Sequence, residues 1–137
     1  MLSLKLALFL CTAAVAFAQD VTGRWAGSAD WTDGGGTKRT QSTTVEIRNE
    51  AGKLTAHSVG SNGKIGAPLL IQTDGAKVNL YRFLELDGGE HLRWKLELKE
   101  GKLIGSFSAQ HDNPKKWMYD RLLDLTMTKA AMAPTEK

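Results

Sequence analysis

Apolar and polar residues alternate along this chain after residue 18, and a turn signal interrupts the alternation roughly every ten residues. The clearest case is 91–98, where Leu92, Trp94, Leu96 and Leu98 share one face and His91, Arg93, Lys95 and Glu97 the other. Such a segment buries one face of a strand and leaves the other in water. Trp25, Gly27, Ala29 and Trp31 fall together in the first run, Thr43, Val45 and Ile47 in the second, and Leu103, Gly105, Phe107 and Ala109 in the seventh. Between the runs lie Asp33-Gly34-Gly35-Gly36, Asn49-Glu50-Ala51-Gly52, Ser61-Asn62-Gly63-Lys64, Thr73-Asp74-Gly75, Asp87-Gly88-Gly89-Glu90, Lys99-Glu100-Gly101-Lys102 and His111-Asp112-Asn113-Pro114. Each carries residues that tolerate tight or positive-φ backbone. These seven turns predict eight strands, at 22–31, 38–48, 53–59, 65–72, 77–86, 91–98, 103–110 and 116–128. No apolar repeat of helical period is long enough for a helix there. The expected fold is all-β, an eight-stranded antiparallel up-and-down barrel over residues 19–129, because closure removes the two edges an open sheet would expose. A two-sheet β-sandwich is the alternative.

Residues 1–18 have a different pattern. A short basic start with Lys5, an apolar run from Leu6 to Phe17 and the exit Ala16-Phe17-Ala18 are the parts of a secretory signal peptide cleaved after Ala18. The run is too short for a permanent membrane span. Cys11, the only cysteine, sits inside that run after Leu10, which is too large for a lipid-attachment site. The mature chain is therefore expected to be thiol-free, without a transmembrane segment, periplasmic or extracellular, and monomeric. Residues 130–137 read as a disordered tail.

Charge narrows the function classes. Lys+Arg is 18 against Asp+Glu 15, and no basic block exceeds Lys115-Lys116. A balance so near neutral, with no aromatic-plus-basic stripe, argues against nucleic acid. The three histidines, His57, His91 and His111, have no metal-type spacing and read as surface residues. No catalytic nucleophile motif, zinc motif or phosphate-cradling glycine loop occurs, so an enzyme is not expected, nor a cofactor.

The mature start, Val21-Thr22-Gly23-Arg24-Trp25, resembles the opening of small exported lipocalin-like (calycin) β-barrels. The resemblance implies a barrel whose first tryptophan plugs one end and which holds a small ligand without catalysis. In that family an arginine near the chain's end stacks on the tryptophan. Arg121 is the one candidate here, and antiparallel closure sets it nearer Trp31 than Trp25. Gly23-Arg24-Trp25-Ala26-Gly27 is also similar to the start of nitrobindin-type haem barrels, but no histidine follows His111 to ligate haem.

Candidate ligand contacts follow from the faces. Val78, Leu80, Arg82, Leu84 and Leu86 share a face, which turns Arg82 inward; Arg121 shares the apolar face of the last strand with Trp117 and Tyr119. Two inward guanidiniums and a phenol suit a carboxylate held bidentately. Trp25, Trp31, Trp94 and Trp117 are candidates to line the cavity, or else to fill it, since eight-stranded barrels can be packed solid by their own side chains. The expected ligand is a small apolar or amphipathic molecule bound by Trp25, Trp31, Arg82, Trp94, Tyr119 and Arg121. The competing reading is a filled barrel contacting an envelope protein through Asp33 to Lys38 and His111 to Lys116.

Overall fold

The computed structural model describes residues 21–131. The expected leader 1–18 and residues 132–137 of the expected tail lie outside the described residues. Eight strands follow one another: β1 (Gly23–Thr32), β2 (Lys38–Glu50), β3 (Lys53–Val59), β4 (Ile65–Asp74), β5 (Lys77–Leu84), β6 (Glu90–Lys99), β7 (Lys102–His111) and β8 (Arg121–Lys129). Each pairs antiparallel with its neighbours in order, and β8 closes on β1 through Trp25↔Lys129 and Ala26↔Thr128. The barrel is closed, so the sandwich alternative falls. Among the described residues no helix is long and apolar enough to cross a membrane.

Period-two alternation sets the core. Leu80, Trp94 and Phe107 lie in one cross-strand row, and Val78, Leu96, Gly105 and Leu125 in the next. With Trp25, Val45, Ile47, Leu69, Leu103 and Met127 they form one continuous buried cluster. Trp25 is fully buried; its Nε1–H donates to Val21 O at 3.0 Å, and Lys129 Nζ stands 5.5 Å from its ring centroid. The cation over the first tryptophan is thus Lys129, whose stem also lies against Gly23. Ala130 N–H donates to Arg24 O at 2.8 Å, tying the chain to β1 one residue past β8.

Two departures from the expected elements position the site. The last strand does not begin at 116: Pro114–Tyr119 form a 3₁₀ helix, and β8 starts at Arg121. Asn113 accepts a hydrogen bond from Lys115 N–H at 3.0 Å, and proline at the first helical position needs no N–H partner, so the turn winds on as a helix. Second, the strands are staggered. Residues 38–44 of β2 pair with β1 alone, and 82–84 of β5 with β6 alone. The β3–β4 hairpin, bulged between His57 and Val59, bends against β1 so that Gly63 O accepts from Arg24 Nη1 at 3.1 Å.

That contact buries an ion pair on the outer side of the sheet. Arg24 and Glu46 are cross-strand partners, and Glu46 is 1% exposed. Arg24 Nε and Nη2 donate to Glu46 Oε1 at 3.0 and 2.8 Å, and Arg48 reaches Oε2. Burial pushes the Glu46 carboxyl up, but the hydrogen bonds from Arg24 and Arg48 outweigh it and hold the pKa below its ordinary value.

Candidate functional site

The connections β1–β2, β5–β6 and β7–β8 meet at one end of the barrel. The last inward-facing positions there are not aliphatic. Trp31 pairs with Arg39 across β1 and β2, Glu90 with His111 across β6 and β7, and Arg121 with Ala109 across β7 and β8. The 3₁₀ helix adds Tyr119 and Lys116. Together with Gln41 these residues line an open recess of about 460 Å³.

Arg121 is its centre. Its Nε and Nη2 donate to Gln41 Oε1 at 3.1 and 2.6 Å, and Nη1 to Tyr119 O at 2.7 Å. Its Cζ stands 4.7 Å from the Trp31 centroid and 5.6 Å from that of Phe107, so the guanidinium is in cation–π range of both rings. The nearest carboxylate oxygen, Glu90 Oε2, is 3.9 Å away. Glu90 is instead shared with His111 Nε2 at 3.1 Å, while His111 Nδ1 meets Asp120 Oδ1 at 2.7 Å. Burial pulls the Arg121 pKa down; Glu90 offsets part of this and the like charge of Arg39 adds to it. The recess therefore holds a desolvated cation bonded mostly to neutral oxygens.

The rim is fixed by Asp33. Its carboxylate accepts from Gly35 N–H at 2.9 Å, Thr37 N–H at 3.0 Å and Arg39 Nε at 2.6 Å. The Arg39 hydrogen bond, followed by that of Thr37, holds the Asp33 carboxyl below its ordinary 3.8. Arg39 in turn stands 5.2 Å from the Tyr119 ring centroid, and Gly34 N–H donates to Met118 O at 2.9 Å. A group whose pKa is lowered on folding contributes stability above its unfolded pKa and loses that contribution as pH falls through the folded value. We therefore expect acid unfolding to be shallower in Asp33→Asn than in wild type below about pH 4, read as urea midpoints at pH 7 and in steps downward.

The sequence-expected residues divide into three groups. Trp31, Tyr119 and Arg121 meet at the mouth, and the Trp31–Arg121 contact is the one antiparallel closure predicts. Trp25 and Trp94 are core; Trp94 is 4% exposed, tilts against Phe107 at 5.1 Å, and its buried Nε1–H has no partner among the described residues. Arg82 does not join Arg121. It lies three strands away along the row Arg82, Leu92, Ala109, Arg121, and lines a separate recess with Pro68, Leu70 and Phe83. Trp117 does not face inward either: it is 61% exposed and lies on Gly34, where an added Cβ would come within 2.4 Å of the indole.

Arg39, Gln41, Glu90 and His111 were missing from the expected set. Parity carried the signal: His111 continues the row Leu103, Phe107, Ala109, and Glu90 precedes Leu92 by two. His111 is accordingly not a surface residue, its side chain being 9% exposed. Among the described residues no group of three or more His, Cys, Asp or Glu is placed to hold a metal ion.

No family model, curated protein or solved structure matches this chain.

Proposed function

We propose that this protein is a non-catalytic exported barrel that binds a small carboxylate-bearing amphipathic molecule at its mouth. The observation carrying this reading is the Arg121 guanidinium. It is desolvated, laid over Trp31, and bonded through three N–H groups to two neutral oxygens, while its nearest carboxylate is engaged by His111. A guanidinium has five N–H donors, so two remain to meet an anion entering from the recess. Trp31 and Tyr119 offer apolar faces for the rest of the molecule, and Arg39 adds positive potential at the rim. The continuous cluster of Trp25, Trp94 and Phe107 below supports binding above the core, with an alkyl or aryl portion lying across the mouth rather than down the barrel axis.

Titration with a series of straight-chain carboxylates, followed by Trp fluorescence and calorimetry, tests the reading. Binding is expected, and Arg121→Gln should weaken it by about 10- to 100-fold, the range of a charge-assisted hydrogen-bonded contact. Absence of binding across the series, or equal affinity in Arg121→Gln, overturns it.

A further inference from the structure

We propose that the outer wall of β4, β5 and β6 docks on an anionic phospholipid surface. This wall is separate from the mouth, and its composition is unusual for solvated sheet. Leu70 on β4 and Phe83 on β5 are 70% and 45% exposed, and Leu86, in the β5–β6 connection beyond the wall, is 70% exposed. Leu70, Tyr81 and Arg93 are successive partners in one cross-strand row, and Gln72, Asn79 and Lys95 in the row beside it. These two rows line a shallow recess of about 560 Å³, and the recess holding Arg82 and Phe83 adjoins it through Leu70 and Tyr81.

The aromatic floor is held in place. Tyr81 Oη is 2.7 Å from His91 Nδ1, His91 Nε2 is 2.9 Å from Asp112 Oδ1, and the Phe83 and His91 rings are 5.0 Å apart. Arg93 lies 5.0 Å above the Tyr81 ring. Its guanidinium stays near the apolar patch with no carboxylate partner among the described residues, and the same holds for Lys95. The two rows contain no acid over β4–β6. Asp112 is turned to His91, Asp74 and Glu97 flank Lys77 in the next row, and Glu85 lies beyond the strand end.

Exposed aliphatic and aromatic side chains flanked by unpaired cations complement an anionic, apolar interface. A headgroup phosphate fits the Arg93–Lys95 side of the recess, while Leu70, Phe83 and Leu86 enter the boundary between headgroups and acyl chains. Each cation near such a surface contributes about 1 kcal/mol, so removing two costs roughly 20- to 30-fold in partitioning.

Co-sedimentation of the purified protein with phosphatidylglycerol and phosphatidylcholine vesicles tests the proposal. Selective binding to phosphatidylglycerol is expected, weakened by added salt, by about 20-fold in Arg93→Gln/Lys95→Gln, and at least tenfold in Leu70→Ser/Phe83→Ser. Leu122→Ser, an exposed leucine on β8, should bind as wild type, and thermal melts confirm folding of each variant. Three results overturn the proposal: no selective binding by wild type, full binding by both double variants, or capture of an acidic peptide through the same residues without vesicle binding.

Discussion

Glu46→Ala is expected to cost about 3–5 kcal/mol of unfolding free energy, more than any mouth substitution, because it strands a buried guanidinium. Glu46 is 1% exposed and its two carboxylate oxygens take Arg24 on one side and Arg48 on the other. Arg24 is itself 8% exposed and its Nη1 donates to Gly63 O. Removing the carboxylate leaves Arg24 beneath the β3–β4 hairpin without the Glu46 oxygens that hold its Nε and Nη2. The double variant Arg24→Met/Glu46→Leu should cost less than Glu46→Ala alone, since an apolar pair of similar volume carries no stranded charge. Urea unfolding of the three proteins at pH 7 separates these outcomes. Because the Glu46 pKa is held below its ordinary value, the pair's contribution is present above that value and disappears as pH falls through the lowered one.

Gly105→Ala is the second large effect, expected at about 3 kcal/mol, the upper end of overpacking costs. A Cβ at residue 105 would stand 1.9 Å from Lys95 O, 2.9 Å from Lys95 C and 3.0 Å from Leu96 Cα. All three are backbone atoms of β6, so no rotamer change relieves the clash; β6 and β7 must part across the Leu96–Gly105–Leu125 row. Gly105→Val should fail to fold. Gly35→Ala is the matching control, since its nearest neighbour there is Asp33 Oδ1 at 3.4 Å and its φ is not in the left-handed region. Circular dichroism melts of the three variants measure the contrast.

Much of the barrel was legible because period-two alternation and glycine-rich turns act locally. Leu92, Trp94, Leu96 and Leu98 can face only one way, and one-sided burial fixes the rest of β6. The error at β8 was also local. Trp117, Tyr119 and Arg121 keep strand parity, but Asn113 and Pro114 start a 3₁₀ turn whose first N–H groups are already satisfied or absent. Alternation alone cannot separate these when the segment is short.

The mouth was legible in part. Trp31 and Arg121 meet because antiparallel closure puts the end of β1 beside the start of β8. Arg82 lines a different recess, and which recess a residue near the end of β5 joins depends on how far the strands overlap, which is a property of the whole barrel. The Arg24–Glu46 pair was invisible for the same reason: outward parity implies exposure unless a hairpin bends over it. Glu90 and His111 could have been found by extending two rows of inward positions by one step.

Backbone and side-chain chemical-shift mapping during titration with a straight-chain carboxylate is the most direct test of the account. The prediction is that shifts concentrate on the Trp31 indole N–H, the Arg121 Nε–H, the Gln41 amide and Tyr119, while Trp94 and Val78 in the core stay still. Shifts centred on Trp94 and the core rows would place the ligand inside the barrel and contradict a mouth site, and no shifts at any of these groups would remove the binding function altogether.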